Sequence, residues 1–312
     1  MKRLALSCAF ALAACNPTAV QAPTQADGAH YLAPANLAEF FDCLRERGQT
    51  IVAAHRGGPE PGYAENSIET FAHTISLAPA LLEIDIAQTS DDVLVLMHDD
   101  TLERTTTGEG PVDRLTLAAL QALSLEDETG AVLNAHPPTL RQALDWADGK
   151  TILELDVKRG VSYEDVLADV RAAGAMGRAV FITYSAGAAR RVHRLAPEIM
   201  ISTSIETEAD LAELERSGMD LTRILAWTGI EEPDSALNVA LARRGVEAMF
   251  GTLGGRDSWD ERFAREGEDQ YAAFAETGLQ LISTDRTLAA ARALDAADGV
   301  DGIGALQCVG VR

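Results

Sequence analysis

A regular alternation between short apolar runs and amphipathic segments, which extends from residue 50 to residue 284, constrains the fold of this chain most strongly. The runs have the length and apolar content of buried strands, and the segments between them have helical spacing. Repeated alternation of this kind is typical of a parallel sheet covered by helices. The strand-like runs lie at 50–55, 81–87, 93–98, 151–157, 179–184, 199–205, 222–228, 247–252 and 279–284.

These nine runs exceed the number in an eight-stranded barrel, and one short connection accounts for the extra run. Only residues 88–92 separate the second run from the third. A parallel crossover requires about a dozen residues or more, so these two runs must be antiparallel. The other runs predict an α/β fold, a (β/α)8 TIM barrel, with a small insertion at 99–137 after the second strand and a short helix at Thr116–Leu123. A doubly wound open sheet is the alternative, but GGPEPG lacks the G-x-G-x-x-G pattern of that fold.

The N-terminal region has the pattern of an export signal. Residues 1–14 contain two basic residues, an apolar run too short to cross a bilayer, and small residues. The segment LAAC, which ends at Cys15, is similar to the lipobox of bacterial lipoproteins, and ordinary cleavage further on is the alternative. Residues 15–34 are rich in Pro, Ala, Thr and Gln. We therefore expect a signal peptide, a lipidated cysteine with a flexible tether, and a single folded domain at 35–312.

Lipidation at Cys15 would attach the protein to a membrane of the bacterial envelope, on the periplasmic side. Asn16 differs from the Asp of the inner-membrane retention signal, which favours the outer membrane. Cys43 and Cys308 remain in the folded domain, and an oxidising compartment would allow them to pair. Their pairing depends on a geometry that the sequence does not give.

The charge balance limits the classes of partner. The chain has 48 acidic and 26 basic residues, which gives a formal net charge of −22. Such a protein repels nucleic acid. It also repels an anionic small molecule, unless a local cluster of cations binds that molecule.

Charged side chains lie near the ends of the first three parallel strands, which is where a barrel of this kind carries its chemistry. Side chains two residues apart on a strand face the same side, so the carboxylates of the second and third strands turn inward together. The residues are His55 and Arg56 after the first strand, Glu83 and Asp85 on the second, and Glu154, Asp156 and Lys158 on the third.

Inward carboxylates are costly unless they are paired or bind a metal ion. An all-oxygen set favours a hard cation, Mg²⁺ or Ca²⁺, over zinc. A purely structural network of salt bridges with Arg56 and Lys158 is the alternative. The hairpin arm returns His98 towards the same mouth, and two histidines beside a metal site are typical of acid–base catalysis.

Several motifs together resemble the glycerophosphodiester phosphodiesterases. The family carries H-R-G, E-N-T, I-E-x-D-V, H-D and R-T-T, and this chain has HRG, ENS, LEIDI, HDD and RTT in the same order within residues 51–110. The similarity continues as ELDVK at 154–158 and ISTDR at 282–286.

The resemblance implies a (β/α)8 barrel that hydrolyses small-molecule glycerophosphodiesters to glycerol 3-phosphate and an alcohol, with a divalent metal. The chain also departs from the family pattern at two positions. The family's E-x-K aligns with Asp156-Val157-Lys158, so the third metal ligand here is the shorter Asp156. Either the metal lies closer to this strand or Glu154 assists in binding it. The second departure is Ser67, which replaces the usual threonine. By this resemblance the metal ligands are Glu83, Asp85 and Asp156, the acid–base pair is His55 and His98, and the phosphate ligands are Arg56 and Lys158.

Two other functions remain open at this point. One is a phospholipase D-like or lyase activity on lipid phosphodiesters that gives a cyclic phosphate. The other is a non-catalytic, metal-binding lipoprotein. Two side-chain roles are also open: we expect Glu65 to cap the following helix rather than to brace the mouth, and Trp227 either lines a leaving-group pocket or packs in the core.

Overall fold

The computed structural model describes residues 30–298 and 305–309, and within them the strands form a closed barrel. Eight strands are parallel and follow the order β1-β9-β8-β7-β6-β5-β4-β2, and pairing of β1 with β2 closes the ring. The predicted (β/α)8 barrel is therefore confirmed. The strands are β1 Ile51–Ala54, β2 Ala80–Gln88, β3 Leu94–Leu96, β4 Leu153–Val157, β5 Ala179–Thr183, β6 Met200–Ser204, β7 Ile224–Trp227, β8 Glu247–Gly251 and β9 Leu281–Thr284.

The hairpin arm is also present as predicted. β3 pairs antiparallel with the end of β2, which places it outside the parallel ring. The insertion that follows has a small apolar core of its own, around Val95, Leu102 and Val112. Its helix is shorter than the predicted Thr116–Leu123, because only Leu117–Leu120 is helical, with Thr116 as its N-cap.

Helices cover the outside of the barrel, and the outward-facing residues of each strand pack against them. On β2, Leu82, Ile84 and Ile86 lie in this outer apolar layer, as their alternation with Glu83 and Asp85 predicts. The helices are α1 Leu37–Arg47, α2 Ile68–Leu77, α3 Leu117–Leu120, α4 Leu140–Trp146, α5 Tyr163–Ala172, α6 Ala186–Leu195, α7 Glu208–Arg216, α8 Ser235–Ala242, α9 Trp259–Glu266, α10 Tyr271–Ala275 and α11 Thr287–Asp298. No helix in the described ranges has the length and apolar character needed to cross a bilayer.

A second apolar cluster fills the N-terminal end of the barrel, here called the floor, where α1 packs beneath the strands. Phe40 and Phe41 of α1 are buried there with the inward-facing Leu81 and Leu281. The inward positions of β2 therefore change from apolar at the floor to acidic towards the opposite end, here called the mouth.

Cys43 and Cys308 form a disulfide at the floor, with their Cα atoms 5.7 Å apart and a sequence separation of 265. The sequence left this pairing open, and the barrel brings the two positions together. The bond joins α1 to the turn at Ala305–Cys308.

The packed domain begins before residue 35, the boundary predicted from composition. Leu32 is fully buried, and its backbone N–H donates to the Lys150 carbonyl at 2.7 Å. The N–H of His30 donates to the Ile75 carbonyl, also at 2.7 Å. The composition of the segment does not reveal this contact, because a single buried leucine holds the segment against the barrel and barely changes its polar, Pro-rich character. The predicted signal peptide and Cys15 lie outside the described residues.

Candidate active site

Three carboxylates meet at the mouth. β2 and β4 pair in a register that places Glu83 beside Glu154 and Asp85 beside Asp156. One oxygen each of Glu83, Asp85 and Asp156 lies within 4.8 Å of the others, and all three residues are buried. We call these three residues the carboxylate cluster.

The electrostatics of the carboxylate cluster fit a divalent cation. Burial, together with the negative charge of Asp85, raises the pKa of Glu83 well above its ordinary value. Acidic oxygens held this closely repel one another unless positive charge lies between them. The donor set consists of carboxylate oxygens, which hard cations such as Mg²⁺ and Ca²⁺ prefer. The predicted ligand residues therefore converge and can hold such an ion.

Lys158 and Arg56 lie against the carboxylate cluster. The Lys158 Nζ atom is 2.6 Å from Asp85 Oδ1 and 2.6 Å from Asp156 Oδ2. Burial alone would lower the pKa of Lys158, but these two carboxylates raise it. The Arg56 backbone N–H donates to Glu83 Oε2 at 2.8 Å, and its Nε atom is 3.9 Å from Asp85 Oδ2. The predicted pair of cations thus lies at the mouth, where an anion would approach.

Asn66 holds Asp85 from the loop after β1. Its Nδ2 group donates to Asp85 Oδ2 at 2.6 Å, and its Oδ1 atom accepts the Asp85 backbone N–H at 2.9 Å. The residue has φ 57°, in the left-handed region that asparagine tolerates better than most residues. The sequence indicated only a loop residue near the mouth, whereas the structure shows that Asn66 orients one member of the carboxylate cluster.

His55 lies directly after β1 and is held by a carboxylate from the end of β9. The distance between His55 Nδ1 and Asp285 Oδ1 is 2.6 Å. Asp285 in turn accepts the Gly254 N–H at 3.0 Å, and its own N–H donates to Asp260 Oδ2 at 2.7 Å. Because Nδ1 is occupied in this way, Nε2 is the ring nitrogen available to a ligand. His55 lines the same cavity as Glu83.

His98 follows β3 and is held by its neighbour in the sequence. The distance between His98 Nδ1 and Asp99 Oδ1 is 2.6 Å. The backbone N–H of Met97, the residue before His98, donates to the Asp85 carbonyl at 3.0 Å, so His98 follows directly beside the end of β2 that carries the carboxylate cluster. The structure therefore brings both predicted histidines to one mouth.

Arg104 connects the His98 side of the mouth to the Arg56 side. Its guanidinium donates to Asp99 Oδ2 at 2.6 Å and Asp99 Oδ1 at 2.9 Å, and to Glu65 at 2.7 and 2.8 Å. Glu65 also accepts a hydrogen bond from Arg56 Nη1 at 2.9 Å. Three side chains therefore connect His98 to Arg56, in the order Asp99, Arg104 and Glu65.

The expectation that Glu65 caps the following helix is wrong. Ser67 is the N-cap of α2, and its Oγ atom accepts the Thr70 N–H at 3.2 Å. Glu65 lies two residues before the cap and turns towards the two arginines instead. The capping signal in the sequence was real but belonged to Ser67.

Gly57 is required by packing. It has φ 83°, and a Cβ atom at this position would lie 2.3 Å from the Phe71 ring of α2. A side chain there would push the first covering helix away from the barrel. The surroundings of this glycine therefore show that it allows α2 to pack.

A cavity of about 220 Å³ opens beside the carboxylate cluster. Trp227 lines it and also packs against the apolar cluster of the floor, so both of the roles left open by the sequence are present. Gly251 makes room for the ring, because a Cβ atom there would lie 2.4 Å from it. Glu154 also lines the cavity, and burial raises its pKa to about 8.

A (β/α)8 barrel with a carboxylate cluster, two cations and two carboxylate-anchored histidines at its mouth defines a class of barrel proteins whose site can hold a divalent cation beside an anion. The sequence profile of the glycerophosphoryl diester phosphodiesterase family matches residues 55–239. A solved glycerophosphoryl diester phosphodiesterase from Parabacteroides distasonis is 33% identical, with a TM-score of 0.79, and the match covers 86% of this chain and 95% of that one. The chain therefore belongs to the glycerophosphoryl diester phosphodiesterase family.

Two further proteins are similar to this chain. A glycerophosphodiester phosphodiesterase from Caldanaerobacter subterraneus is 28% identical over 160 residues, which cover 49% of this chain and 65% of that relative, just under two thirds of its length. A phosphodiesterase from Oleispira antarctica, solved in complex with the product sn-glycerol-3-phosphate, is 20% identical with a TM-score of 0.59. That match covers 80% of this chain and 99% of the other, and it shows a shared fold.

Proposed function

We propose that this protein hydrolyses glycerophosphodiesters to glycerol 3-phosphate and an alcohol. The observation that carries the proposal is the convergence of the carboxylate cluster with two histidines whose Nδ1 atoms are both held by carboxylates. Family membership supports the reaction class, and the product named for the Oleispira antarctica protein is the one expected here.

The cluster formed by Glu83, Asp85 and Asp156 would hold Mg²⁺ or Ca²⁺. A divalent ion bound there supplies Lewis-acid polarisation of a phosphoryl oxygen. Arg56 and Lys158 bind the other phosphate oxygens and offset the repulsion that a protein of net charge −22 exerts on an anion.

His55 and His98 act as the acid–base pair through their Nε2 atoms. One takes the proton from the glycerol hydroxyl that attacks the neighbouring phosphorus, and the other protonates the departing alcohol. Water then opens the cyclic phosphate with the two roles reversed. Asp285 and Asp99 keep each ring in the tautomer whose Nε2 faces the mouth, as the carboxylate of a catalytic triad does.

The deciding experiment is phosphorus NMR of the products from glycerophosphocholine, with purified wild-type protein, Asp85→Ala and His98→Ala. We expect glycerol 3-phosphate from the wild type in Mg²⁺ or Ca²⁺, none after chelation, and none from either variant. Turnover that survives chelation would contradict the metal assignment.

The same assay separates the rival functions. Accumulation of cyclic phosphate from a lysophospholipid, with no product from glycerophosphocholine, would indicate the lyase activity on lipid phosphodiesters. Absence of turnover on a panel of phosphodiesters in Mg²⁺, Ca²⁺ and Mn²⁺ would establish the non-catalytic metal-binding lipoprotein.

We also propose that the protein is exported and anchored through lipidated Cys15 on the periplasmic side, in the outer membrane. The Cys43–Cys308 disulfide supports an oxidising compartment. Radiolabelled palmitate should label the wild type and not Cys15→Ala. In a membrane fractionation, the variant should be found in the soluble periplasmic fraction instead of the membrane fraction. Equal labelling of both proteins would contradict the assignment.

A further inference from the structure

Glu154 is a fully buried carboxyl group in the wall of the cavity, and the proposed reaction gives it no task. Its exposed fraction is 0%. Neither of its oxygens has a hydrogen bond of normal geometry to any residue that the structure describes, and the neutral Ser202 hydroxyl, which lines the same cavity, only partly offsets the effect of burial on its pKa. It is also not a member of the carboxylate cluster, although it lies beside Glu83 in the register of β2 and β4. Buried carboxyl groups are ordinarily paired, so the cavity is the place where Glu154 meets its partner.

The walls of the cavity indicate what that partner is. Among the described residues, no lysine or arginine lines the cavity, and its other carboxylates, Glu83 and Asp156, belong to the carboxylate cluster that would be occupied by the metal. Trp227 and Met249 form part of an apolar wall. An anionic group would be repelled here, and a plain alkyl chain would leave Glu154 buried without a partner. A positively charged group with attached carbon atoms fits both Glu154 and the apolar wall. Its charge pairs with Glu154, and its carbon atoms contact the aromatic ring of Trp227, whose face also attracts cations.

We propose that Glu154 is a specificity-determining residue that pairs with an ammonium group on the alcohol portion of the diester, while Trp227 packs against the carbon atoms next to that charge. This inference rests on the proposed phosphodiesterase function, because the cavity adjoins the carboxylate cluster at which the phosphate would bind. The substrate class is therefore a glycerophosphodiester of a cationic alcohol.

The kinetic test compares two substrates that differ in one charge. Glycerophosphocholine carries a quaternary nitrogen, and its 3,3-dimethylbutyl analogue has carbon in the same place. We expect wild-type kcat/KM to favour the choline ester about tenfold, and Glu154→Gln to reduce that preference to about twofold through loss on the choline ester alone. An equal loss on both esters in the variant, or no preference in the wild type, would overturn the proposal. A selective loss on glycerophosphoglycerol would overturn it in favour of a site for polyols.

Glu247→Gln is the matched control. Glu247 is also a buried glutamate of a barrel strand, but it lies at the floor, where it pairs with Arg45. We expect this variant to change the free energy of unfolding without changing the ratio of kcat/KM between the two esters. A changed ratio in the control would mean that loss of any buried carboxylate alters selectivity, which would overturn the specific assignment to Glu154.

A binding measurement on the wild type keeps the inference independent of turnover and of the folding of variants. Isothermal titration calorimetry of the metal-loaded protein with choline, and separately with 3,3-dimethylbutanol, should show about tenfold tighter binding of the cation. If the protein hydrolyses no diester and yet shows this difference, the proposed function fails and the role of Glu154 stands. Equal binding of the two alcohols would overturn the role of Glu154, whatever the enzyme hydrolyses.

Discussion

The two histidines of the mouth are held in contrasting ways. His55 follows β1, and its anchor Asp285 follows β9, the strand paired with β1. Asp285 is fixed through the backbone, because it accepts the Gly254 N–H and its own N–H donates to the buried side chain of Asp260. Two paired strands of the barrel and the backbone around them therefore fix the position of His55.

His98, in contrast, lies on the hairpin arm, and charged side chains alone fix its anchor. Asp99 is held by Arg104, whose side chain is 46% exposed and whose second partner is Glu65. Charge pairs near solvent weaken as ionic strength rises. The Asp285 side chain is itself 37% exposed, so the contrast lies in the kind of partner, because a neutral backbone N–H depends less on salt than a guanidinium does. Changes of salt should therefore affect the His98 side of the mouth first, although the proposed mechanism gives both histidines a role in one reaction.

The largest expected effect tests whether both sides are needed. His55→Ala and His98→Ala should each lower kcat by roughly 10²–10⁴, since each removes one partner of the proton transfers. Steady-state kinetics on glycerophosphocholine, with circular dichroism to verify the fold, measures this. Near-normal turnover by either variant would mean that one histidine alone suffices.

The next effect concerns the anchors. Asp285→Asn and Asp99→Asn should each lower kcat by about 10–100-fold while KM changes little, because the neutral amide does not enforce the required ring tautomer. The two variants should differ in stability, because Asp285→Asn also weakens the hydrogen bond that holds the loop at Gly254. We expect its melting temperature to fall further than that of Asp99→Asn, and the reverse order would contradict the difference between the two sides.

A smaller effect tests the role of charge on the His98 side. Arg104→Gln should lower kcat about tenfold, and Arg104→Lys should recover part of it, because lysine restores the charge without the paired geometry. Wild-type kcat should decline between 0.1 and 1 M salt, and that decline should be absent in Arg104→Gln. These concentrations are about those at which the screening length falls from roughly 10 to 3 Å. An identical salt response in both proteins would contradict the comparison.

The smallest effect is one of stability. Burial alone would raise the pKa of Glu65, but hydrogen bonds from Arg104 and the charge of Arg56 lower it below its ordinary value. A lowered pKa stabilises the fold above the unfolded value of about 4.5, and this contribution is lost as the pH falls through the folded value.

Glu65→Gln should therefore cost about 2 kcal/mol of unfolding free energy at pH 7, and the difference from wild type should shrink below pH 4.5. Denaturant unfolding of both proteins from pH 3.5 to pH 7.5 measures it. A difference that is constant across this range would show that Glu65 acts through packing rather than charge.

Much of the architecture could be predicted from the sequence because its signals are local. The alternation of runs gave the strand number, and the five-residue connection after β2 identified the hairpin arm. The inward direction of Glu83, Asp85 and Asp156 followed from the two-residue period of a strand. Local signals also placed His98 at the mouth, since the arm that carries it is short.

Contacts between distant parts of the chain could not be predicted in this way. Asp285 holds His55 across 230 residues, and no property of either position indicates the other. Arg104 and Glu65 meet through the insertion, whose loops have no periodicity to read. The packing of Leu32 was missed for a related reason, because a single buried side chain in a polar stretch does not change its composition.

The position of the first described residues has a consequence for orientation. The backbone N–H groups of His30 and Leu32 donate to the carbonyls of Ile75 and Lys150, which lie just before β2 and β4, at the end opposite the carboxylate cluster. If Cys15 is lipidated as proposed, the anchor would therefore join the closed base of the barrel, and the opening would be left free to point into the surrounding water. That arrangement suits dissolved headgroup esters better than lipids still embedded in the sheet of the membrane.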